Sequence, residues 1–266
     1  MQEVFQHIQE ALKNNETGVV LTVIAIEGSS PGRLGDKMLV LADGATFGTI
    51  GGGRAEYEAV KEVQKNWHRR ALWRKYYDLD EKGGMLCGGK MEVLFEPIGT
   101  RDRLIIFGAG HVGKVLAKLA PDCGFWTIVV DPREEFATRE NLPKANQILC
   151  KPYGQALKEL TFDANTFVVV VTNSHAYDEL VLKHCAPLKS AYLGAIGSDT
   201  KTKKILGDLK KEGISPQVIE GIHMPIGLNI GAQTPEEIGI SIMAELIAVK
   251  YDANVQAASM KALRSL

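Results

Sequence analysis

Residues 104–131, LIIFGAGHVGKVLAKLAPDCGFWTIVVD, decide the fold of the second half of the chain. Leu104 to Phe107 is a short apolar strand, and Gly108-Ala109-Gly110-His111-Val112-Gly113 matches GxGxxG. A helix follows from Val112 to Leu119, then a strand from Trp126 to Asp131. In that setting the glycines permit a tight turn and close approach of a diphosphate to a helix N-terminus. Gly108, Gly110 and Gly113 are therefore candidate contacts to a nucleotide such as NAD or NADP. Asp131 is placed to accept a hydrogen bond from a ribose hydroxyl, which favours NAD. Arg133, two residues on, keeps NADP open. A Rossmann-like fold also needs such glycines for packing alone, so the residues leave nucleotide binding open.

The βαβ rhythm continues through Gln147 to Cys150, Phe167 to Thr172 and Ala191 to Ile196. The run FVVVVT is apolar throughout, as a central parallel strand buried on both faces should be. This alternation predicts a parallel sheet with right-handed crossovers. Asn173, Ser174, His175 and Asp178 follow that strand, where ligands of open α/β sheets bind. Ser174 is expected to cap the helix Ala176 to Lys183. Farther on, the glycine loop His223 to Gly231 leads into Thr234-Pro235-Glu236-Glu237, a capping box opening a helix to about Tyr251. Ile238, Ile240, Ile242, Leu246 and Val249 make that helix apolar on several sides. Burial between domains or in a homodimer is expected.

Toward the N-terminus the rhythm changes near Ile98. Residues 1–100 are expected to form an α+β domain with glycine-rich loops. Residues 101–266 are expected to form a Rossmann-like parallel-sheet domain with a C-terminal helix, giving an α/β protein overall. Residues 1–15 read as an amphipathic helix. Val19 to Ile26, Lys37 to Leu41, Arg74 to Leu79 and Lys90 to Phe95 read as strands, and Arg54 to Trp67 as a helix. Three loops between them carry chemistry. Gly28-Ser29-Ser30-Pro31-Gly32-Arg33 offers two hydroxyls and a guanidinium, suited to a phosphate or a polar heterocycle. Gly51-Gly52-Gly53 precedes a helix, where free N–H groups suit an anion, and a tight strand-to-helix turn alone would need the same glycines. Cys87-Gly88-Gly89 sets a thiol between flexible glycines, open to a bulky ligand or else simply a small buried residue in a turn. Cys123, Cys150 and Cys185 sit in or beside apolar segments and are expected in the core.

With 266 residues there is material for two modest domains, and a formal net charge of -1 supplies no field to attract nucleic acid or an anionic membrane. Neither a signal peptide nor a membrane-spanning run is visible. The four cysteines lack CxxC spacing, so reduced thiols and a cytoplasmic location are expected. The six histidines form no HxxxH or HxH pair, so no zinc site is expected.

Seven segments taken together resemble the XdhC/CoxI family, the accessory factors of xanthine dehydrogenase. They are Gly28 to Val40, Gly48 to Glu56, Cys87 to Pro97, Ile105 to Ala120, Val129 to Ala137, Tyr192 to Lys201 and His223 to Leu246. They keep one order across nearly the whole chain. The resemblance implies a factor that binds the molybdenum cofactor (molybdopterin), supports its sulfuration and inserts it into a molybdenum hydroxylase such as xanthine dehydrogenase. A sulfur donor protein is a further implied partner. By motif, Gly28, Ser29, Ser30, Arg33, Gly51, Gly52, Gly53, Cys87 and Gly88 become candidate cofactor contacts. The Cys87 thiolate is the candidate molybdenum ligand or sulfur carrier. No hydrolytic triad or carboxylate dyad is visible, so no catalytic residue is assigned. Two other readings stay open: an NAD(P)-dependent oxidoreductase with His175 as acid or base, and a nucleotide-sensing regulatory module.

Overall fold

The computed structural model describes residues 2–67, 69, 71–79, 89–99 and 102–253. The chain forms two compact units, Met1–Thr100 and Arg101–Leu266.

The first unit is built from α1 (Gln2–Asn14), β1 (Gly18–Glu27), β2 (Lys37–Leu41), β3 (Thr46–Gly48), α2 (Gly53–Lys65), β4 (Trp73–Asp78) and β5 (Lys90–Ile98). Its strands pair antiparallel in the order β3-β2-β1-β5-β4, with β1 central. Side chains alternate across a strand, so each face takes every second residue. Val19, Leu21 and Val23 of β1 join Met38, Val40, Val93 and Phe95 beneath Ala55, Ala59 and Val63 of α2. Val20 and Leu39 point the other way, onto Val4 of α1. The sheet is thus covered by one helix on each face, which explains why β1 carries no polar alternation.

The second unit runs β6 (Arg103–Phe107), α3 (His111–Leu119), β7 (Trp126–Val130), β8 (Gln147–Leu149), α4 (Tyr153–Glu159), β9 (Thr166–Val170), α5 (His175–Cys185), β10 (Tyr192–Ala195), α6 (Asp199–Lys211), α7 (Pro216–Gly221) and α8 (Pro235–Lys250). The sheet is parallel in the order β10-β9-β6-β7-β8. The order reverses between β6 and β9, which opens a crevice beyond their carboxyl ends. Every residue of β9 is buried. Ile105, Phe107, Val168 and Val170 face α4, α5 and α6, while Leu104, Ile106, Phe167 and Val169 face α3 and α8. The expected α/β class and parallel sheet are both present.

Three local expectations are corrected. Cys150 is exposed rather than in the core, because β8 is short and lies at the sheet edge. Ser174 holds the N-cap position of α5, yet its side chain makes no capping hydrogen bond. Helix α8 starts with the expected capping box on Thr234 and Glu237. The apolar sides expected to be buried between domains or in a homodimer are largely covered within the unit itself: Ile242, Met243 and Leu246 are buried there, and only Ile240 among its large apolar side chains is strongly exposed.

Glycine packing sets one prediction. A β-carbon on Gly113 would lie 1.9 Å from the Gly108 carbonyl oxygen, whereas one on Gly207, inside α6, would meet nothing within 4 Å. Gly113→Ala should therefore destabilise the protein by about 2 kcal/mol. Gly207→Ala should stabilise it by about 0.5–1 kcal/mol through lower unfolded-chain entropy. Urea denaturation of both variants checks the opposite signs.

Candidate functional site

In the first unit, backbone presses on backbone wherever the glycine loops meet. A β-carbon on Gly32 would come within 2.3 Å of the Ile50 carbonyl oxygen, and one on Gly51 within 2.4 Å of the Gly32 nitrogen. One on Gly89 would fall 2.2 Å from the Ser29 carbonyl oxygen. The loops around Gly28–Arg33 and Gly51–Gly53 are therefore adjacent, and the chain enters β5 against the first of them. Gly51, Gly52 and Gly53 have φ of 120°, 74° and 63°, conformations that only glycine adopts without strain. Arg33 and Ser29 are exposed on the same loop. Cys87 and Gly88 lie outside the described residues.

The amides of the triglycine turn are not all free. One oxygen of Glu56, on the first turn of α2, accepts hydrogen bonds from Ile50 N–H (3.1 Å), Gly52 N–H (3.0 Å) and the Thr49 hydroxyl (2.5 Å). The anion that the sequence suggested for this turn is in part the chain's own carboxylate. The signal was present in GGGRAE, since an acidic residue in the first turn favours the positive helix end. β-Carbons on Gly52 and Gly53 would meet nothing within 4 Å, so space remains beside the turn.

In the second unit the GxGxxG residues divide by role. Gly108 has φ 111°, and its β-carbon would lie 2.4 Å from the Val171 carbonyl oxygen, so this glycine packs β6 against β9. Gly113 packs α3 on the turn. Only Gly110 looks into open space, and it is the N-cap of α3, with no side chain to cap it. A β-carbon at Gly108 would thus disturb packing before it met a ligand. Gly110 lines a pocket of about 380 Å³ with His111, Val112, Arg133, Phe136, Thr172 and Asn173, at the crevice between β6 and β9.

Asp131 is fully buried. It accepts Ala109 N–H (2.8 Å), Arg133 N–H (3.0 Å), Arg133 Nε (2.9 Å) and Arg133 Nη2 (2.7 Å). A carboxylate has about four acceptor sites, and all are taken. No site is left for a ribose hydroxyl, so the role expected of Asp131 is corrected. It fixes the glycine turn and aims Arg133. Burial pushes the Asp131 carboxyl up, but the hydrogen bonds from Arg133 and the two backbone N–H groups outweigh it and hold it below the usual carboxylate range.

His175 does not line the glycine-turn pocket. It lines a separate cavity of about 250 Å³ with Lys201 and Lys204. Beside it the buried Asp178 accepts Thr172 Oγ1 (2.6 Å), Thr172 N–H (3.2 Å) and Lys201 Nζ (2.5 Å). Glu245 is a third buried carboxylate of this unit's site region, hidden from sequence reading inside the apolar α8. It accepts Tyr192 Oη (2.5 Å) and Gly227 N–H (2.9 Å), so it ties the loop before α8 to β10. Burial, reinforced by the Glu245 charge, pushes the Tyr192 hydroxyl well above its ordinary range. Among the described residues no group of three or more His, Cys, Asp or Glu is placed to hold a metal ion, and no helix is long and apolar enough to cross a membrane.

Comparison with known proteins adds the lineage. The XdhC Rossmann domain model matches residues 104–246, and the XdhC and CoxI family model matches residues 11–75. The chain is 33% identical over 255 residues to protein YqeB of Escherichia coli (strain K12), covering 94% of this chain and 47% of that protein. It is 35% identical over 158 residues to a probable xanthine dehydrogenase subunit of Bacillus subtilis (strain 168), covering 59% of this chain and 46% of that one. The chain thus spans about half the length of these two relatives. A third, the molybdenum cofactor insertion chaperone PaoD of Escherichia coli (strain K12), is 20% identical, covering 91% of this chain and 86% of that protein. A crystal structure described as a xanthine dehydrogenase from Bacillus halodurans shares the fold, with TM-score 0.53, 23% identity, and 97% and 98% of the two chains covered.

The buried pair yields a pH prediction. Asp131→Asn should cost about 3 kcal/mol at neutral pH, because it removes one partner of a buried ion pair. The folded Asp131 pKa is depressed, so its contribution is fully present above the unfolded pKa of about 3.9 and lost as pH falls through the folded value. The stability gap between wild type and Asp131→Asn, followed by urea denaturation, should be constant from pH 7 to 5 and should narrow below about pH 4.

Proposed function

Because the chain belongs to the XdhC and CoxI family, we propose that it is an accessory factor that binds molybdenum cofactor and supports its sulfuration and insertion into a xanthine dehydrogenase-type hydroxylase. The observation carrying this reading is the meeting of the Gly28–Arg33 and Gly51–Gly53 loops with Gly89 at one end of the first unit's sheet. The donor set fits the phosphate and polar rim of molybdopterin. Arg33 offers a planar fork of N–H donors, Ser29 a hydroxyl, and the start of α2 its first-turn amides beside open space at Gly52 and Gly53. A phosphate there would compete with the Glu56 carboxylate for the turn's N–H groups. The soft ligand for the metal is Cys87, with a sulfur donor protein as a further partner. When bound, the group supplies its partner hydroxylase with a redox-active molybdenum. This chain's share is to hold, shield and release it. The relative named a molybdenum cofactor insertion chaperone supports that role, as does the relative named a probable component of xanthine dehydrogenase.

A nucleotide-responsive element within the same factor is favoured by the Gly110 pocket. The oxidoreductase alternative is disfavoured, since His175 lies in a different cavity from the glycine turn. The homodimer reading now rests on α1, where Phe5 and Leu12 are exposed, and light scattering tests it.

The test is to purify the protein from cells that make molybdenum cofactor, measure bound pterin and molybdenum, and add it to apo-hydroxylase. Wild type should carry both and restore activity. Arg33→Ala should retain about tenfold less pterin, the loss expected for one charge-assisted contact. Cys87→Ser should keep the fold but activate the hydroxylase poorly. Wild-type protein holding neither pterin nor molybdenum would overturn the proposal.

A further inference from the structure

The pocket at the β6–β9 crevice has a charged wall that belongs to none of the glycine loops of the first unit. Arg133 lines it, and the Arg133 guanidinium is locked on two sides. Two of its N–H groups bind the buried Asp131, and its carbon lies 3.8 Å from the centre of the Phe136 ring. A guanidinium has five N–H donors, so three remain for a ligand. Its second face is free of that ring and suits stacking by a flat heterocycle. In the same pocket lining, the first-turn N–H groups of α3 start at Gly110 with no side-chain cap, and a β-carbon there would meet nothing within 4 Å. Helix N–H groups without a cap suit a diphosphate.

In this fold the end of the second strand reads the adenosine ribose. A carboxylate that favours an unmodified ribose must offer free acceptor sites to its hydroxyls. Asp131 offers none, because Ala109 and Arg133 fill all four. The group presented to the ribose is instead a positive, forked donor. Glu134 and Glu135 follow in sequence but are exposed and do not line the pocket. We infer that this pocket binds a nicotinamide dinucleotide carrying a phosphate on its adenosine ribose, NADP or NADPH, in preference to NAD. The diphosphate lies on the start of α3 at Gly110, and the ribose phosphate is held by Arg133. The inference concerns the second unit alone and does not depend on the molybdenum cofactor reading.

Isothermal titration of the full chain with NADP, NAD, 2′,5′-ADP and 5′-AMP tests it. NADP should bind at least about tenfold more tightly than NAD, and 2′,5′-ADP more tightly than 5′-AMP, the gain expected for charge-assisted hydrogen bonds. Arg133→Gln should erase the preference. Arg133→Lys keeps the charge without the fork and should retain part of it, which guards against a folding defect in the glutamine variant. Gly110→Ala should weaken both dinucleotides, because its β-carbon enters the space in front of the α3 amides. Circular dichroism monitors the fold of each variant. NAD binding as tightly as NADP to the wild type, no NADP binding at millimolar concentration, or an unchanged preference in a folded Arg133→Gln protein would each overturn the inference.

Discussion

Asp131 sits at zero exposure with four hydrogen bonds, and the second unit is organised around that carboxylate. A buried charge costs several kcal/mol unless it is paired and hydrogen-bonded. Meeting that requirement ties three things together: the turn at Ala109 after β6, the end of β7, and the guanidinium of Arg133. The start of α3 and the cationic wall of the pocket are therefore held by one group. If Asp131 were free to bind ligand, neither would be positioned in advance.

Glycines do the complementary work in both units. Those at 32, 51, 89, 108 and 113 sit where a β-carbon would strike backbone, so they bring loops into contact that side chains would hold apart. Those at 52, 53 and 110 sit beside open space next to a helix N-terminus. The first group fixes distances; the second leaves room for an approaching ligand. Glycine in a motif thus has two separable consequences, one for stability and one for binding.

Internal carboxylates treat the two helix starts differently. Glu56 is only half-buried and takes amides of the triglycine turn, so an incoming phosphate would compete with a carboxylate that water can solvate once displaced. In the second unit Asp131 binds Ala109 and leaves the first-turn amides of α3 uncapped. Glu245, buried in α8, plays a third part by anchoring the loop at Gly227 to Tyr192 of β10. These three carboxylates use the same chemistry to set how open each loop is.

Much of this was legible in the residues alone. The period-two and continuous apolar runs marked β1, β2, β6, β7 and β9, and Thr234-Pro235-Glu236-Glu237 marked the start of α8. Local backbone preference and side-chain periodicity act over a few residues, so sequence carries them directly. The motif order across the chain was enough for the family. Other features needed coordinates. Sequence placed Cys150 in the core, but β8 is a short edge strand. It read α8 as buried between domains or in a dimer, but Ile242, Met243 and Leu246 are buried within the unit, in the cluster that α3 and the sheet share. It gave Asp131 to a ribose, but Arg133 and Ala109 had already filled its acceptor sites. Strand order, the convergence of distant glycine loops and the filling of a carboxylate's lone pairs all depend on groups far apart in the chain or on side-chain direction. Sequence determined the elements, the family and the residue types at each site. Tertiary structure decided which polar groups stay open to a ligand, because hydrogen-bond capacity is spent only when the chain has folded.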